Sequence, residues 1–185
     1  MTKPPRQKKC KACPEYFKPF SSTQVACSMP CALTLANESA AKERRAEYKA
    51  ARERLKTRGD YLKECQQAFN AWIRERDYAN PCISCGTTKP VQYCAGHYLT
   101  VGAHPELRFH PDNVHKQCNK SCNLEKSGNI VEYRKGLLAK IGPERLDWLE
   151  GKHEPVKYTI DEIKEMTKQF RTEAKRLKLH NQGRA

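Results

Sequence analysis

The chain has 185 residues, 38% hydrophobic and 30% charged, with a formal net charge of +14 and a pI near 9.4. That length holds one ordinary domain and a small appendage, and that composition does not supply a large apolar core. No apolar run approaches a membrane span and the N-terminus carries no apolar segment of the secretory kind, so a cytoplasmic protein without membrane contact is expected. Ten cysteines, most of them paired, then point to metal sites rather than disulfides. The surplus of Lys and Arg suits a polyanion, because each cation gains affinity by releasing a phosphate's counterion. Two tetrathiolate zinc sites, each with two net negative charges, would still leave about +10.

Residues 1–31 form the first unit. Cys10 and Cys13, then Cys27 and Cys31, have zinc-ligand spacing, and Tyr16, Phe17 and Phe20 lie between them as candidates to cover the metal. A unit this short cannot fold on apolar burial alone. It would touch DNA through Lys8, Lys9, Lys11 and Lys18, or serve as a protein-binding knob. Residues 32–59 read as a charged helical stalk, rich in Ala, Glu, Lys and Arg, with too few apolar residues for a buried face. Gly59 is expected to break this helix and Asp60 to cap the next. That helix, 61–78, carries Leu62, Cys65, Phe69, Trp72 and Ile73 at three- and four-residue steps. Cys65 reads as a buried thiol, and Arg74, Glu75 and Arg76 as its outer side.

The main domain, 60–180, centres on residues 81–129. Cys82 and Cys85 pair with Cys118 and Cys122 as a second zinc site. The run 91–100 has β character, with a kink or bulge expected at Gly96. Leu107, Arg108 and Phe109 read as a second short strand, His110–Asn113 as a turn, and 118–126 as a helix start. Asn129 with Glu132 reads as a helix cap, Pro143 as a first helical turn, and Thr159 with Glu162 as a capping box. The last helix, about 160–179, presents Ile160, Ile163, Met166, Phe170 and Leu177, and the chain is expected to fray from His180.

A zinc with four thiolates has no open position, so chemistry falls to the polar residues it positions. His97 can take a proton from water near neutral pH. Asn113 could orient that ring, His115 could contact a phosphate or a metal, and Asn123 offers a carbonyl oxygen to a hard cation such as Mg²⁺. Arg108 could hold a phosphate through both arms of its guanidinium. These parts fit water attacking a phosphodiester with help from one metal ion.

The residues carry a resemblance. Cys-x-x-Cys, then Gly96-His97, then Asn113, then a cysteine pair followed at once by Asn123, resembles the ββα-metal (HNH and endonuclease VII-like) nuclease superfamily. More closely, 95–98, 107–109, 113–118, 122–123 and 127–129 resemble the Rap/NinG recombination endonucleases of lambdoid phages. The resemblance extends over most of the chain, including the N-terminal finger and 68–77. It implies a Mg²⁺- or Mn²⁺-dependent endonuclease acting on branched DNA such as Holliday junctions and D-loops. His97 would be the general base, with Asn113 and His115 in the catalytic motif and Asn123 a metal ligand. Arg108, Lys116 and Lys126 would contact DNA. Two departures stand out. Cys94 falls where an acidic metal ligand is usual, so Glu106 or Asp112 would have to substitute, or the activity be weak, or Mn²⁺ be preferred. The Cys118–Cys122 gap is one residue longer than the commoner spacing.

The fold implied is α+β and mostly helical, with a ββα-metal zinc core, flanking helices and a small Cys₄ finger. Cutting a four-way junction symmetrically needs two sites, so a homodimer is expected, with other recombination proteins as possible partners. The alternatives are a non-catalytic zinc protein that binds branched DNA as a recombination accessory factor, and a protein-interaction scaffold.

Overall fold

A computed structural model describes residues 7–183, and the chain divides into two compact units, one ending at Lys56 and the other beginning at Thr57. The last two residues of the tail, where fraying was expected, lie outside the described residues, as do residues 1–6 of the finger.

In the first unit, β1 (Lys8–Lys9) pairs antiparallel with β2 (Tyr16–Phe17), Lys8 opposite Phe17. Helix α1 then runs Met29–Arg54. Ser28 is its N-cap, its side chain accepting from the Cys31 amide, and Pro30 sits in the first turn where its missing N–H costs nothing. Finger and stalk are thus one body, because the fourth cysteine is also a residue of the helix's first turn. No α1 side chain is buried, as its charge-rich sequence implies.

In the second unit, α2 spans Arg58–Arg76. The break before it is at 55–56 and not at Gly59, which lies inside the helix. Thr57 is the N-cap and Asp60 the third residue of a capping box: Thr57 Oγ1 accepts the Asp60 amide and Asp60 Oδ2 accepts the Thr57 amide. The apolar stripe of α2 packs on α5 (Ile160–Gln182), with the Phe69 and Phe170 rings edge-to-face at 5.0 Å and Trp72 stacked on Phe170 at 5.5 Å. Cys65 is buried in that core, which pushes its thiol pKa up. The Thr159–Glu162 capping box that starts α5 forms as expected, and the helix continues past His180.

Against α2 packs a two-stranded antiparallel sheet, β3 (Tyr93–His97) and β4 (Val114–Cys118). The register is unbroken, Tyr93 opposite Cys118 and His97 opposite Val114, so Gly96 is not a bulge. A Cβ there would run into the Gln117 side chain, so a larger residue would have to displace Gln117 from its contacts with Ser84 and the Gly128 carbonyl. The second strand is 114–118, while Leu107 to Phe109, expected extended, is a 3₁₀ turn and its exit. Pro105 opens that turn, and the buried Leu107 and Phe109 drop into separate apolar clusters, a spacing a strand would also give.

After β4 the chain makes a six-residue π-helical turn, Asn119–Leu124, not a regular helix. Then α3 (Ile130–Ile141) and α4 (Pro143–Glu150) close a second core of Tyr98, Leu107, Tyr133, Leu137, Leu146 and Leu149. Asn129 precedes α3 in the left-handed region, φ 46°, and makes no side-chain cap; it does not form the expected pair with Glu132. Gly136 of α3 sits on the Cys82–Cys85 loop, where a Cβ would run into the Ile83 carbonyl oxygen. The architecture is α+β and mostly helical, with two small sheets and two cysteine clusters among the described residues. No helix among the described residues is long and apolar enough to cross a membrane.

Candidate functional site

Each expected cysteine quartet is assembled. The sulfurs of Cys10, Cys13, Cys27 and Cys31 lie within 4.8 Å of one another, as do those of Cys82, Cys85, Cys118 and Cys122. Individual Sγ separations are 3.5 Å (Cys13–Cys27), 3.6 Å (Cys27–Cys31), 3.7 Å (Cys85–Cys118) and 3.9 Å (Cys82–Cys122). Four thiolates placed about 2.3 Å from a tetrahedral Zn²⁺ are roughly 3.8 Å apart, so both clusters could bind zinc. Amides already point at the sulfurs, Cys27 N–H to Cys10 at 3.4 Å and Cys118 N–H to Cys82 at 3.3 Å. The extra residue between Cys118 and Cys122 is accommodated by the wide π turn.

Beside the second cluster is a cleft of about 360 Å³ whose lining includes Ala95, His97, Thr100, Asn123, Ser127 and Gly128. His97 enters from the end of β3 and Asn123 from the π turn that also carries Cys122. His97 Nε2 is 3.1 Å from the Arg108 carbonyl oxygen. A carbonyl only accepts, so Nε2 carries the proton and Nδ1 is the basic nitrogen. Burial pushes the His97 pKa down, which keeps the ring neutral at pH 7.

Asn113 is fully buried and holds the loop that follows His97. Its amide contacts Leu99 twice and the Leu107 carbonyl once, so it fixes the loop and does not touch the His97 ring as expected. Arg108 contributes its carbonyl; its side chain does not line the cleft, and its Nε is buried without a partner.

His115 is placed elsewhere. It is buried, with Nε2 3.1 Å from the Asp112 carbonyl and Nδ1 2.9 Å from Arg76 Nη2 and 3.0 Å from Lys140 Nζ. Sequence reasoning missed the centre of this cluster, Asp77. Its carboxylate accepts from Arg76, Lys140, Asn80 and the Lys116 amide. Burial alone would raise its pKa, but the hydrogen bonds from Arg76 and the charges of Arg76 and Lys140 hold it well below the usual carboxylate range. Arg76 therefore points inward, also reaching the Pro111 and Val114 carbonyls, contrary to its expected place on the outer side of α2. The only signal was an acid directly following α2 in a basic chain.

Cys94 does not line the cleft. Strand alternation turns it away from Ala95 and His97, its thiol lies 3.5 Å from the Gln117 carbonyl, and burial raises its pKa. Neither carboxylate considered in its place reaches the cleft. Glu106 pairs with His104 at 3.1 Å and Asp112 is clamped by Arg145. Lys116 is bound to the Tyr78 and Asn80 carbonyls at 2.8 Å each and lies over the Tyr93 ring, so it is engaged in holding the hairpin. Lys126 is exposed.

A family model described as "Bacteriophage Lambda NinG protein" matches residues 2–180. The chain belongs to the NinG family. Relatives in the family include Protein ninG of Escherichia phage lambda, 41% identical with 96% of each chain covered. Protein ninG of Salmonella phage P22 is 39% identical, with 93% of this chain and 94% of that one covered. Protein ninG of Enterobacteria phage H19B is 43% identical over 89% of this chain and 90% of its own. No solved structure matches the chain. The expected affiliation with a joint Rap/NinG endonuclease family is corrected by these matches: the family is NinG, and neither its description nor these names carries an endonuclease designation.

Proposed function

We propose that the chain binds branched recombination DNA and that the His97–Asn123 cleft is a phosphodiester hydrolysis site. The carrying observation is that both residues line one cleft, with the His97 tautomer fixed by the Arg108 carbonyl. In this reading Nδ1 of neutral His97 takes a proton from water as it attacks the phosphorus. Asn113 keeps the loop behind His97 in place, and Cys82, Cys85, Cys118 and Cys122 would hold a zinc that braces the turn carrying Asn123.

A divalent ion, Mg²⁺ or Mn²⁺, would offset charge on the leaving oxygen. Asn123, Thr100 and Ser127 are oxygen donors of the hard type such an ion takes, but no carboxylate lines the cleft. Asn123 would hold the ion only together with the substrate's own phosphate.

The second reading is a non-catalytic branched-DNA-binding accessory protein. The missing carboxylate favours it, and the comparisons fit it more readily, since no name they print carries an activity. In either reading the protein acts in the host cytoplasm with other recombination proteins; as a nuclease it would act as a homodimer, since cutting a four-way junction symmetrically needs two sites.

The test is cleavage of a labelled four-way junction against linear duplex in Mg²⁺, Mn²⁺ or neither, by the wild type and His97→Ala. Cutting that needs the ion and His97 is expected. Junction binding without cutting in either ion would leave the accessory reading, and no DNA binding would remove both.

A further inference from the structure

Of the three aromatic residues between the cysteine pairs of the first unit, Phe17 is half-buried while Phe20 and Tyr16 are turned to solvent. Phe20 is 100% exposed and Tyr16 64% exposed. A phenylalanine left wholly in water is unusual, and here it stands on a braced turn. Its own amide donates to Gln24 Oε1 at 2.7 Å, and Gln24 Nε2 donates to the Ala26 carbonyl at 2.9 Å. The Gln24 amide reaches the Ser21 carbonyl at 3.2 Å, and the Ser21 and Thr23 hydroxyls meet at 3.1 Å. Lys8 Nζ donates to the Ser22 carbonyl, and Lys11 N–H to the Val25 carbonyl at 3.0 Å, tying both sides of the turn to the finger. Pro19 fixes the backbone immediately before the ring. Phe20 is therefore carried on a rigid tip, so little ordering is left to be lost when the ring meets a partner.

The surroundings say what that partner is. Lys9, Lys11 and Lys18 are exposed around the turn against one carboxylate, Glu15, and the tip itself is Ser21, Ser22 and Thr23. An apolar protein surface would have to accommodate these exposed cations. A nucleic acid meets cations and hydroxyls for its phosphates and one flat apolar ring for a base. In intact duplex both faces of each base are covered by neighbours. At a branch point the stack is interrupted and a base face is open.

We infer that the finger is a stacking wedge, with Phe20 placed against an unstacked base at a DNA branch while Lys9, Lys11 and Lys18 hold the flanking phosphates. This rests on the reading of the chain as a branched-DNA protein and assigns its junction preference to the finger.

The test uses the full-length, zinc-loaded protein with Ca²⁺ in place of Mg²⁺. A four-way junction carries 2-aminopurine either at the crossover or in the middle of an arm, and a linear duplex is the control. Because Phe20 makes no packing contact, Phe20→Ala should keep the wild-type zinc content. It should lose about tenfold in junction affinity, the size of one base–aromatic stack, and leave duplex affinity unchanged. The crossover 2-aminopurine signal should vanish in Phe20→Ala and survive in Phe20→Tyr, while the mid-arm signal stays flat in all three proteins. Unchanged junction affinity in Phe20→Ala would overturn the wedge while leaving junction binding itself intact. So would an equal loss on junction and duplex, or loss of a protein partner alone. Wild type that binds neither DNA would remove the branched-DNA reading as well.

Discussion

Asn113 is hydrogen-bonded to both backbone groups of Leu99: Oδ1 accepts the Leu99 N–H at 2.8 Å and Nδ2 donates to the Leu99 carbonyl at 2.9 Å. The second Nδ2 proton goes to the Leu107 carbonyl at 3.1 Å, so one buried amide closes both ends of the 99–107 loop. Asn113→Ala leaves three backbone groups without their partner, which costs about 3 kcal/mol. Asn113→Asp removes both donors and is expected to be no better. Urea unfolding checks this, and a wild-type midpoint for Asn113→Ala would show that the loop holds without its clamp.

Asp77 sets an acid limit on stability. Its folded pKa lies below the usual carboxylate range, whereas in the unfolded chain it titrates near the ordinary value of about 3.9. A depressed folded pKa gives stability that is present above the unfolded value and lost as pH falls below it toward the folded one. Asp77→Asn leaves Arg76 and Lys140 facing each other across a buried site and should cost about 3–5 kcal/mol at pH 7. The gap between wild type and Asp77→Asn should narrow as pH drops below about 4; a gap that stays constant there would mean the network does not draw on the Asp77 charge.

For His97 the sign is the histidine one with a lowered pKa. Burial favours the neutral ring, so protonation waits until below the ordinary value of about 6.5. If the cleft hydrolyses DNA, the rate should be flat in its His97 dependence above that value and fall as pH drops beneath it. A rate still falling as pH drops from 8 to 7 would assign the titrating base elsewhere.

Metal removal should act on the two units separately. Cys13→Ser should lower zinc content by one per chain and leave the second unit's thermal transition in place, whereas Cys82→Ser should abolish that transition. Helix α1 has no buried side chain to hold it, and Cys31 lies in its first turn. Loss of the first zinc should therefore lower far-ultraviolet ellipticity by more than the finger's few residues account for. An unchanged helical signal in Cys13→Ser would mean that α1 stands by itself.

Ligand spacing made both cysteine quartets legible in the sequence, and three- and four-residue periodicity did the same for α2 and α5. His97 and Asn123 are legible through the motif resemblance, which carries both, and Asn123 also directly follows the last cysteine of its quartet. Long-range electrostatics were not legible. Arg76, Asp77, His115 and Lys140 come from α2, the residue after it, β4 and α3, and nothing local distinguishes a charge turned inward from one in water. Strand position failed at 107–109 because two buried residues separated by one satisfy a 3₁₀ turn and a strand alike. Gly59 misled for a related reason: the neighbouring Thr57–Asp60 box outweighed the glycine.

Gly136 rests its backbone directly on the Ile83 carbonyl, with no side chain between them. Helix α3 and the Cys82–Cys85 loop therefore have no compressible layer through which one could loosen while the other stays shut. Their amides should exchange with solvent in a single cooperative opening, so protection along α3 becomes a remote gauge of whether the second zinc is in place.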